Sequence, residues 1–316
     1  MTELDREKIL AGMNDPVPAG HRAGIVGLVG RPNTGKSTLL NTLLGTKVAI
    51  VTPVAGTTRT TIRGVLTRPL MQAVFVDTPG VSKPQTLLAQ RLNDRVRQMW
   101  AGMDALVFLV DAADGVGRGD KFLADLVLAS GVPVIAVANK IDAFASVEKS
   151  LPVLNALTAL ETDRARFHAI VPVSAKAATN VDRLVDVITD VLPESGRIVS
   201  GAMVHDQTEE QFTAEVLREA LIARARQELP HSIAVVVETI RHDDSDVMHI
   251  DADIYVERAS QKGIVIGKGG ESLKAAATAA RHELERLYGT KVFLRTHVKV
   301  EKEWQRDAKA LDRFGF

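Results

Sequence analysis

The sequence predicts a mostly parallel α/β domain followed by a small α+β domain, on three observations. From Ala23 to Leu192 short apolar runs alternate with helical patterns. Pro193–Gln207 then breaks that rhythm with Pro, Gly and Ser. Beyond it the order of elements changes. Strand–helix alternation builds a sheet covered on both faces, with ligands at the carboxyl ends of its strands. Turn formers between periodic segments mark a boundary. A chain of 316 residues suits two domains. The expected divisions are an N-terminal extension (1–21), a first domain (22–192), a linker (193–207) and a second domain (208–316).

In the first domain the strand candidates are Ala23–Val29, Ile62–Leu70, Ala73–Val76, Ala105–Val110, Val132–Ala138 and Ala169–Val173. Most are short apolar runs of strand length. The helix candidates are Lys36–Leu44, Leu87–Trp100, Asp120–Ala129, Val147–Leu160 and Val181–Leu192. The last carries Val181, Leu184, Val185, Ile188, Val191 and Leu192 on one face, with Asn180 placed to cap it. The second domain reads as helix (Glu209–Glu228), strands (Ile233–Ile240 and Met248–Val256), helix (Glu271–Tyr288), strand (Val292–Val300) and a short charged helix.

Composition narrows the classes. Apolar residues make up 46% of the chain, enough for a core in each domain, and no apolar run approaches the roughly 20 residues that span a bilayer. Met1–Gly20 is mixed in charge without an apolar centre and does not read as a signal peptide. The chain has no cysteine, which excludes disulfides, thiolate metal sites and cysteine nucleophiles. A cytoplasmic protein fits. The net charge of zero conceals an asymmetry. Gly201–Glu257 holds 4 Lys/Arg against 13 Asp/Glu, or −9, whereas Arg258–Phe316 holds 13 against 7, or +6. One side of the second domain is expected to attract anions.

Gly30-Arg31-Pro32-Asn33-Thr34-Gly35-Lys36-Ser37, then Thr38, follows a strand and opens a helix. Glycines there let backbone N–H groups turn inward around phosphate oxygens, and the helix N-terminus adds its dipole. Lys36 reaches the terminal phosphates, and the Ser37 hydroxyl can ligate Mg²⁺. This is the phosphate loop of a P-loop NTPase. Asp77-Thr78-Pro79-Gly80 closes the third strand, where Asp77 can hold Mg²⁺ through water and the Gly80 N–H can meet a γ-phosphate. Asn139-Lys140-Ile141-Asp142 and Ser174-Ala175-Lys176 each end a later strand. The Asp142 carboxylate accepts from the N1–H and 2-amino edge of guanine, which adenine lacks, and a backbone N–H near Ala175 can meet O6. Within Thr52–Arg59, Thr58 rather than Thr57 is the residue expected to close on Mg²⁺ and the γ-phosphate. The set predicts a Ras-like G domain that binds and hydrolyses GTP. Lys36, Thr58 and Asn33 are its candidate catalytic residues, and Ser37, Thr58 and Asp77 its metal ligands. Val81 stands where Ras-type switches place a glutamine. Asn33 stands where similar GTPases use an asparagine to help hold K⁺, and that resemblance makes it the K⁺ candidate.

In the second domain, Ile264-Val265-Ile266 leads into Gly267-Lys268-Gly269-Gly270-Glu271. Glycines around Lys268 allow a tight turn with no side chain between it and a sugar-phosphate backbone, beside a helix N-terminus. The pattern resembles a KH domain, and the helix-first order suggests its type II form. Lys262, Gly267, Lys268, Gly269, Gly270, Lys274 and Arg281 are the candidate RNA contacts, with Lys274 and Arg281 on one helix face.

Longer stretches carry a more specific resemblance. Lys83-Pro84-Gln85-Thr86-Leu87-Leu88, Arg91-Leu92-Asn93-Asp94, Gly102-Met103-Asp104-Ala105, Gln227-Glu228-Leu229-Pro230-His231 and Val298-Lys299-Val300 with Trp304 are similar to the Era family of bacterial GTPases. That family sits in the TrmE/Era/EngA-like superfamily, and the similarity covers about residues 22–316. It implies binding of the 16S rRNA 3′ end, action in assembly of the 30S ribosomal subunit, and peripheral contact with the inner face of the cell membrane. A P-loop ATPase or kinase is the competing class, against which Asn139-Lys140-Ile141-Asp142 argues. A binding module without hydrolysis is the other, opposed by Lys36, Ser37, Thr58 and Asp77.

Overall fold

A computed structural model describes residues 16–52, 54, 62–77, 100, 102–224 and 232–314. Thr57, Thr58, Thr78, Pro79, Gly80 and Val81, and the expected helix Leu87–Trp100 apart from Trp100 itself, lie outside the described residues. The chain divides into two compact units: Met1–Ala49 with Thr61–Asp206, and Gln207–Phe316 with Ile50–Thr60.

The first unit contains β1 (Arg22–Gly30), α1 (Lys36–Leu44), β2 (Ile62–Arg68), β3 (Met71–Asp77), β4 (Ala105–Asp111) and α2 (Arg118–Leu128). After them come β5 (Val134–Asn139), α3 (Leu151–Thr158), β6 (Ala169–Val173) and α4 (Val181–Val191). Six strands form one sheet in the order β2-β3-β1-β4-β5-β6. Every neighbouring pair is parallel except β2–β3. β3, β4 and β5 are buried along their whole length, which is why they read as unbroken apolar runs. Alternate side chains feed two apolar layers. Leu28, Phe75, Val107 and Leu109 pack with Leu39 and Leu40 of α1 and Leu184 and Ile188 of α4. Leu106, Phe108 and Val110 pack on the other side with Leu123 and Val127 of α2 and Leu157 of α3. Each such side chain contributes about 2 kcal/mol on burial. Because β1 pairs with β3 on one side and β4 on the other, its carboxyl end is the switch point where a ligand crevice opens.

Three local expectations are corrected. The helix expected over Val147–Leu160 is a 3₁₀ turn, Val147–Ser150, followed by α3, whose early Pro152 suits a first helical turn. Asn180 does not cap α4 with its side chain. It adopts a left-handed conformation (φ 59°) and donates instead to the Pro172 carbonyl at 2.9 Å. Most of the segment read as a linker is bonded to the first sheet. The Ala23 N–H donates to Pro193 O, and the Ser195 N–H to His21 O. The Val65 N–H donates to Val204 O at 2.8 Å, and Asp206 is bonded to Arg63 through both backbone and carboxylate. Buried Gln72 accepts from the N–H groups of Ile198 and Val199 and donates to Val199 O. Residues 193–206 are thus a strap: 193–199 bond to the starts of β1 and β3, and 204–206 bond to the outer edge of β2, supplying partners that an edge strand lacks.

In the second unit α5 (Glu209–Ile222) is followed by β7 (Ala234–His242), β8 (Met248–Val256), α6 (Ala259–Ile266), α7 (Glu271–Tyr288), β9 (Val292–Val300) and α8 (Ala308–Arg313). A capping box starts α5: Gln211 N–H donates to Thr208 Oγ1, and Thr208 N–H to Gln211 Oε1. The three strands run β7-β8-β9, antiparallel then parallel. Leu217 and Leu221 of α5, Val265 of α6 and Ala276 and Ala280 of α7 pack on Ile254 and Val298 of the sheet. α6 is an additional helix, formed where no helix is expected from the sequence. Its inclusion makes the Gly-rich segment a turn between two helices, in the helix-first order expected.

Candidate functional site

The phosphate loop leaves β1 and enters α1 through backbone that side chains disfavour. Asn33 (φ 65°) and Gly35 (φ 96°) are both left-handed. A Cβ on Gly35 would lie 2.3 Å from Asn139 Nδ2, and one on Gly30 would lie 2.6 Å from the Leu109 carbonyl oxygen. Close approach therefore requires glycine at both places. Lys36 Nζ donates to the carbonyls of Gly30 and Arg31, each at 3.0 Å, so its ammonium lies folded over the loop. Burial pushes the Lys36 ammonium below its ordinary pKa, partly opposed by the charge of Asp77. Burial likewise pushes the Asp77 carboxyl up, opposed by Lys36 and by the Ser37 hydroxyl.

The donor set fits a hard divalent cation. Ser37 Oγ donates to Asp77 Oδ2 at 3.1 Å. Asp77 Oδ1 is buried with no hydrogen-bond partner among the described residues, which is costly for a carboxylate oxygen in a purely structural role. The expected third ligand, Thr58, lies outside the described residues.

At the other end of the crevice, two strand-end motifs come together as expected. Ser174 Oγ donates to Asp142 Oδ1 at 2.6 Å, leaving the exposed carboxylate oriented and able to accept more bonds. Asn139 is a brace between loops: its Nδ2 donates to Thr34 O at 2.8 Å, and its Oδ1 accepts the Ala175 N–H at 3.0 Å. One amide thereby holds the phosphate loop against the Ser174-Ala175-Lys176 turn. Thr42 Oγ1 adds a bond from α1 to the Ala175 carbonyl at 2.7 Å.

Several participants escaped the sequence reading. Asp111 ends β4 as Asp77 ends β3, and its carboxylate holds Lys140 Nζ at 2.5 Å. That strand-end position was the available signal. The Arg31 side chain, expected at the nucleotide, is taken up by acidic residues of the turn after β4 and the first turn of α2. Its Nη1 lies 3.3 Å from Asp120, and its Nη2 lies 3.9 Å from Asp114. Lys176 and Pro32 are exposed at the crevice loops, and Thr38 lies in the first turn of α1.

The Gly-rich turn of the second unit joins α6 to α7. Gly267 (φ 74°), Gly269 (φ 60°) and Gly270 (φ 82°) all occupy conformations that favour glycine. A Cβ on Gly267 would lie 2.7 Å from Ser272, whereas one on Gly269 or Gly270 would meet nothing within 4 Å. Bare backbone thus faces open space beside the N-terminus of an 18-residue helix, an arrangement that suits a phosphate. Lys268 and Lys274 are exposed, and Lys262 is half-buried. Arg281 differs from expectation, since it pairs along its own helix with Glu285 at 3.0 Å. It carries less unshared charge than Lys274.

A six-stranded sheet with a Gly-rich loop at its switch point, braced to the ends of later strands where the Asp142 carboxylate stands, is that of a G-domain GTPase. The second unit is a KH domain. Family comparisons agree: residues 25–140 match the 50S ribosome-binding GTPase family, and residues 228–305 match the KH domain. GTPase Era of Mycobacterium avium (strain 104) is 45% identical over 299 residues, spanning 93% of this chain and 99% of the relative. GTPase Era of Mycobacterium tuberculosis (strain H37Rv) is 44% identical over the same share of this chain and 98% of its own. Among solved structures, Era in complex with MgGDPNP and nucleotides 1506–1542 of 16S ribosomal RNA is 36% identical with a TM-score of 0.86, covering 93% of this chain and 99% of that one. A variant of Aquifex aeolicus Era bound to GDP.AlF4⁻ is similar at 36% identity and a TM-score of 0.85, with the same coverage. The chain belongs to the Era family of GTPases.

Proposed function

We propose that this GTPase uses its KH domain to bind the 3′ end of 16S rRNA and acts in assembly of the 30S ribosomal subunit and in rRNA maturation. The observation that carries the reading is the Gly267–Gly270 turn, with open backbone at Gly269 and Gly270 in a chain whose first unit holds a guanine-nucleotide site. The similar Era structure that holds MgGDPNP together with a 16S rRNA segment supports it. Work is divided at the Asp206–Gln207 boundary: nucleotide is held before it, RNA after it.

Within the G domain, Lys36 and the loop N–H groups offset the charge of the β- and γ-phosphates. Ser37 and Asp77, with Thr58, would hold Mg²⁺, which supplies further charge neutralisation when bound. Val81 has no polar group to orient an attacking water, so intrinsic turnover is slow. Asn33, left-handed and exposed on the phosphate loop, supports K⁺ in the place of an arginine finger's charge. Hydrolysis is expected to run faster in K⁺ than in Na⁺ at matched ionic strength, with Asn33→Ala removing the difference. Equal rates in the two salts would eliminate K⁺ from the reaction.

The reading places the protein in the cytoplasm, with contact at the inner face of the cell membrane peripheral. No helix among the described residues is long and apolar enough to cross a membrane. Crosslinking of the GTP-loaded protein in cells, followed by sequencing of the attached RNA, tests the whole assignment. Recovery of the 16S 3′ end is expected, and enrichment of unrelated RNA refutes it.

A further inference from the structure

The turn between β4 and α2, with the first turn of α2, belongs to none of the sequence motifs that read as nucleotide-binding, yet it is shaped around a residue of the phosphate loop. Arg31 Nη1 lies 3.3 Å from Asp120 Oδ2. The same carboxylate oxygen accepts the Gly117 N–H at 2.9 Å, and Asp120 is 1% exposed. Two glycines leave the room that the arginine occupies. A Cβ on Gly119 would lie 2.8 Å from Arg31 Cδ, and one on Gly117 would lie 3.1 Å from Arg31 Nη1.

Helix capping alone does not account for this. Asp120 is the third residue of α2 and reaches back to the N–H of the capping residue Gly117, a bond that needs one accepting oxygen and that a neutral Gln supplies as well. Here a carboxylate is buried, and its Oδ1 has no hydrogen-bond partner among the described residues. Burying a charge costs free energy unless a partner offsets it, and Arg31 is that partner. The pair is therefore poor as a stabilising device and specific as a geometric one. What it fixes is visible in the backbone: the Arg31 carbonyl accepts Lys36 Nζ at 3.0 Å and Thr34 Oγ1 at 2.9 Å.

We propose that Asp120 is a positioning residue of the nucleotide site, which clamps Arg31 so that the phosphate loop is preorganised before nucleotide arrives. Asp120 touches no nucleotide in this scheme. It acts through the first turn of the loop, and its loss lets the loop N–H groups and Lys36 sample arrangements that do not converge on phosphate. Preorganisation lost in this way weakens GDP and GTP together and leaves the chemical step little changed.

The test is a double-mutant cycle on the full chain, with labelled GDP and a labelled non-hydrolysable GTP analogue. Asp120→Asn keeps an oxygen for the Gly117 N–H and removes the charge. It is expected to raise both dissociation constants about tenfold, with kcat within about twofold and the melting temperature of the nucleotide-free protein held. Arg31→Ala is expected to reproduce the loss, the double variant to be no weaker than either single, and Arg31→Lys to restore most of the affinity. Additive losses would overturn the clamp, since independent sites add. Wild-type affinity in Arg31→Ala, with circular dichroism to confirm that this variant is folded, would overturn it even if Asp120→Asn failed to fold.

Discussion

Asp142→Asn is expected to weaken GTP binding by about 4 kcal/mol, roughly a thousandfold in Kd. In the proposed binding mode the carboxylate would accept two hydrogen bonds from the guanine edge, and bonds to a charged acceptor contribute about 1.5–3 kcal/mol each. The structure explains why the fold should survive. The carboxamide oxygen of the variant can still accept the Ser174 hydroxyl that now reaches Asp142 at 2.6 Å, and the position is exposed. What changes is polarity at the base, where an amide N–H₂ would face the guanine 2-amino group, donor against donor. Xanthine carries an oxygen there, so the variant should prefer XTP. Titration of GTP and XTP against wild type and variant measures both effects, and unchanged GTP affinity would place the base pocket elsewhere.

Replacing Lys268 and Gly269 together with Asp is expected to reduce RNA affinity at least tenfold while leaving GTP affinity and basal hydrolysis nearly unchanged. Two negative charges enter where phosphate should lie, and each such contact contributes about 1 kcal/mol or more near a protein surface. The turn accommodates the change, since a Cβ on Gly269 meets nothing within 4 Å and Asp tolerates a left-handed backbone better than most residues. The nucleotide site lies in the other compact unit, so any stimulation of hydrolysis by RNA should vanish while the basal rate persists. Paired titrations with labelled single-stranded 16S 3′-end RNA and a labelled GTP analogue, with circular dichroism for folding, measure the separation. Normal RNA binding by the folded variant would reduce the Gly-rich segment to a simple turn.

The elements that could be read from the sequence were those whose local chemistry and tertiary surroundings agree. α1 has its expected bounds because Gly35 and Gly45 adopt left-handed backbone at its two ends. β8, α7 and β9 likewise coincide with their expected spans. α6 was missed because Ile264-Val265-Ile266 is β-branched, which favours strand over helix in isolation. Packing of Val265 in the core of the second unit overrides that preference. Asn180 resembles a cap in sequence, but its side chain is drawn to the Pro172 carbonyl. At the site, the motif residues were legible because each must stand at a strand end. Asn139 as a brace, Asp111 under Lys140 and Asp120 beside Arg31 were not, since nothing in local pattern pairs residues so far apart.

The strap formed by residues 193–206 decides where the chain can be divided. Gln72 is fully buried in β3, and its carboxamide oxygen accepts the N–H groups of Ile198 and Val199. His21 Nδ1 meets Ser195 O at 2.7 Å. A fragment that stops at Leu192, where the last helix of the sheet domain ends, strips these partners away. It also bares the outer edge of β2, a template for pairing with another chain. A fragment that stops at Asp206 keeps both. The shorter fragment should melt at lower temperature and scatter light as it associates, while the longer one stays monomeric and binds GTP. Equal melting temperatures for the two would mean that the strap merely lies on the sheet. The natural seam of this molecule, for trimming it or for grafting its GTP switch onto another RNA reader, therefore falls after Asp206 rather than at the proline that closes the last helix.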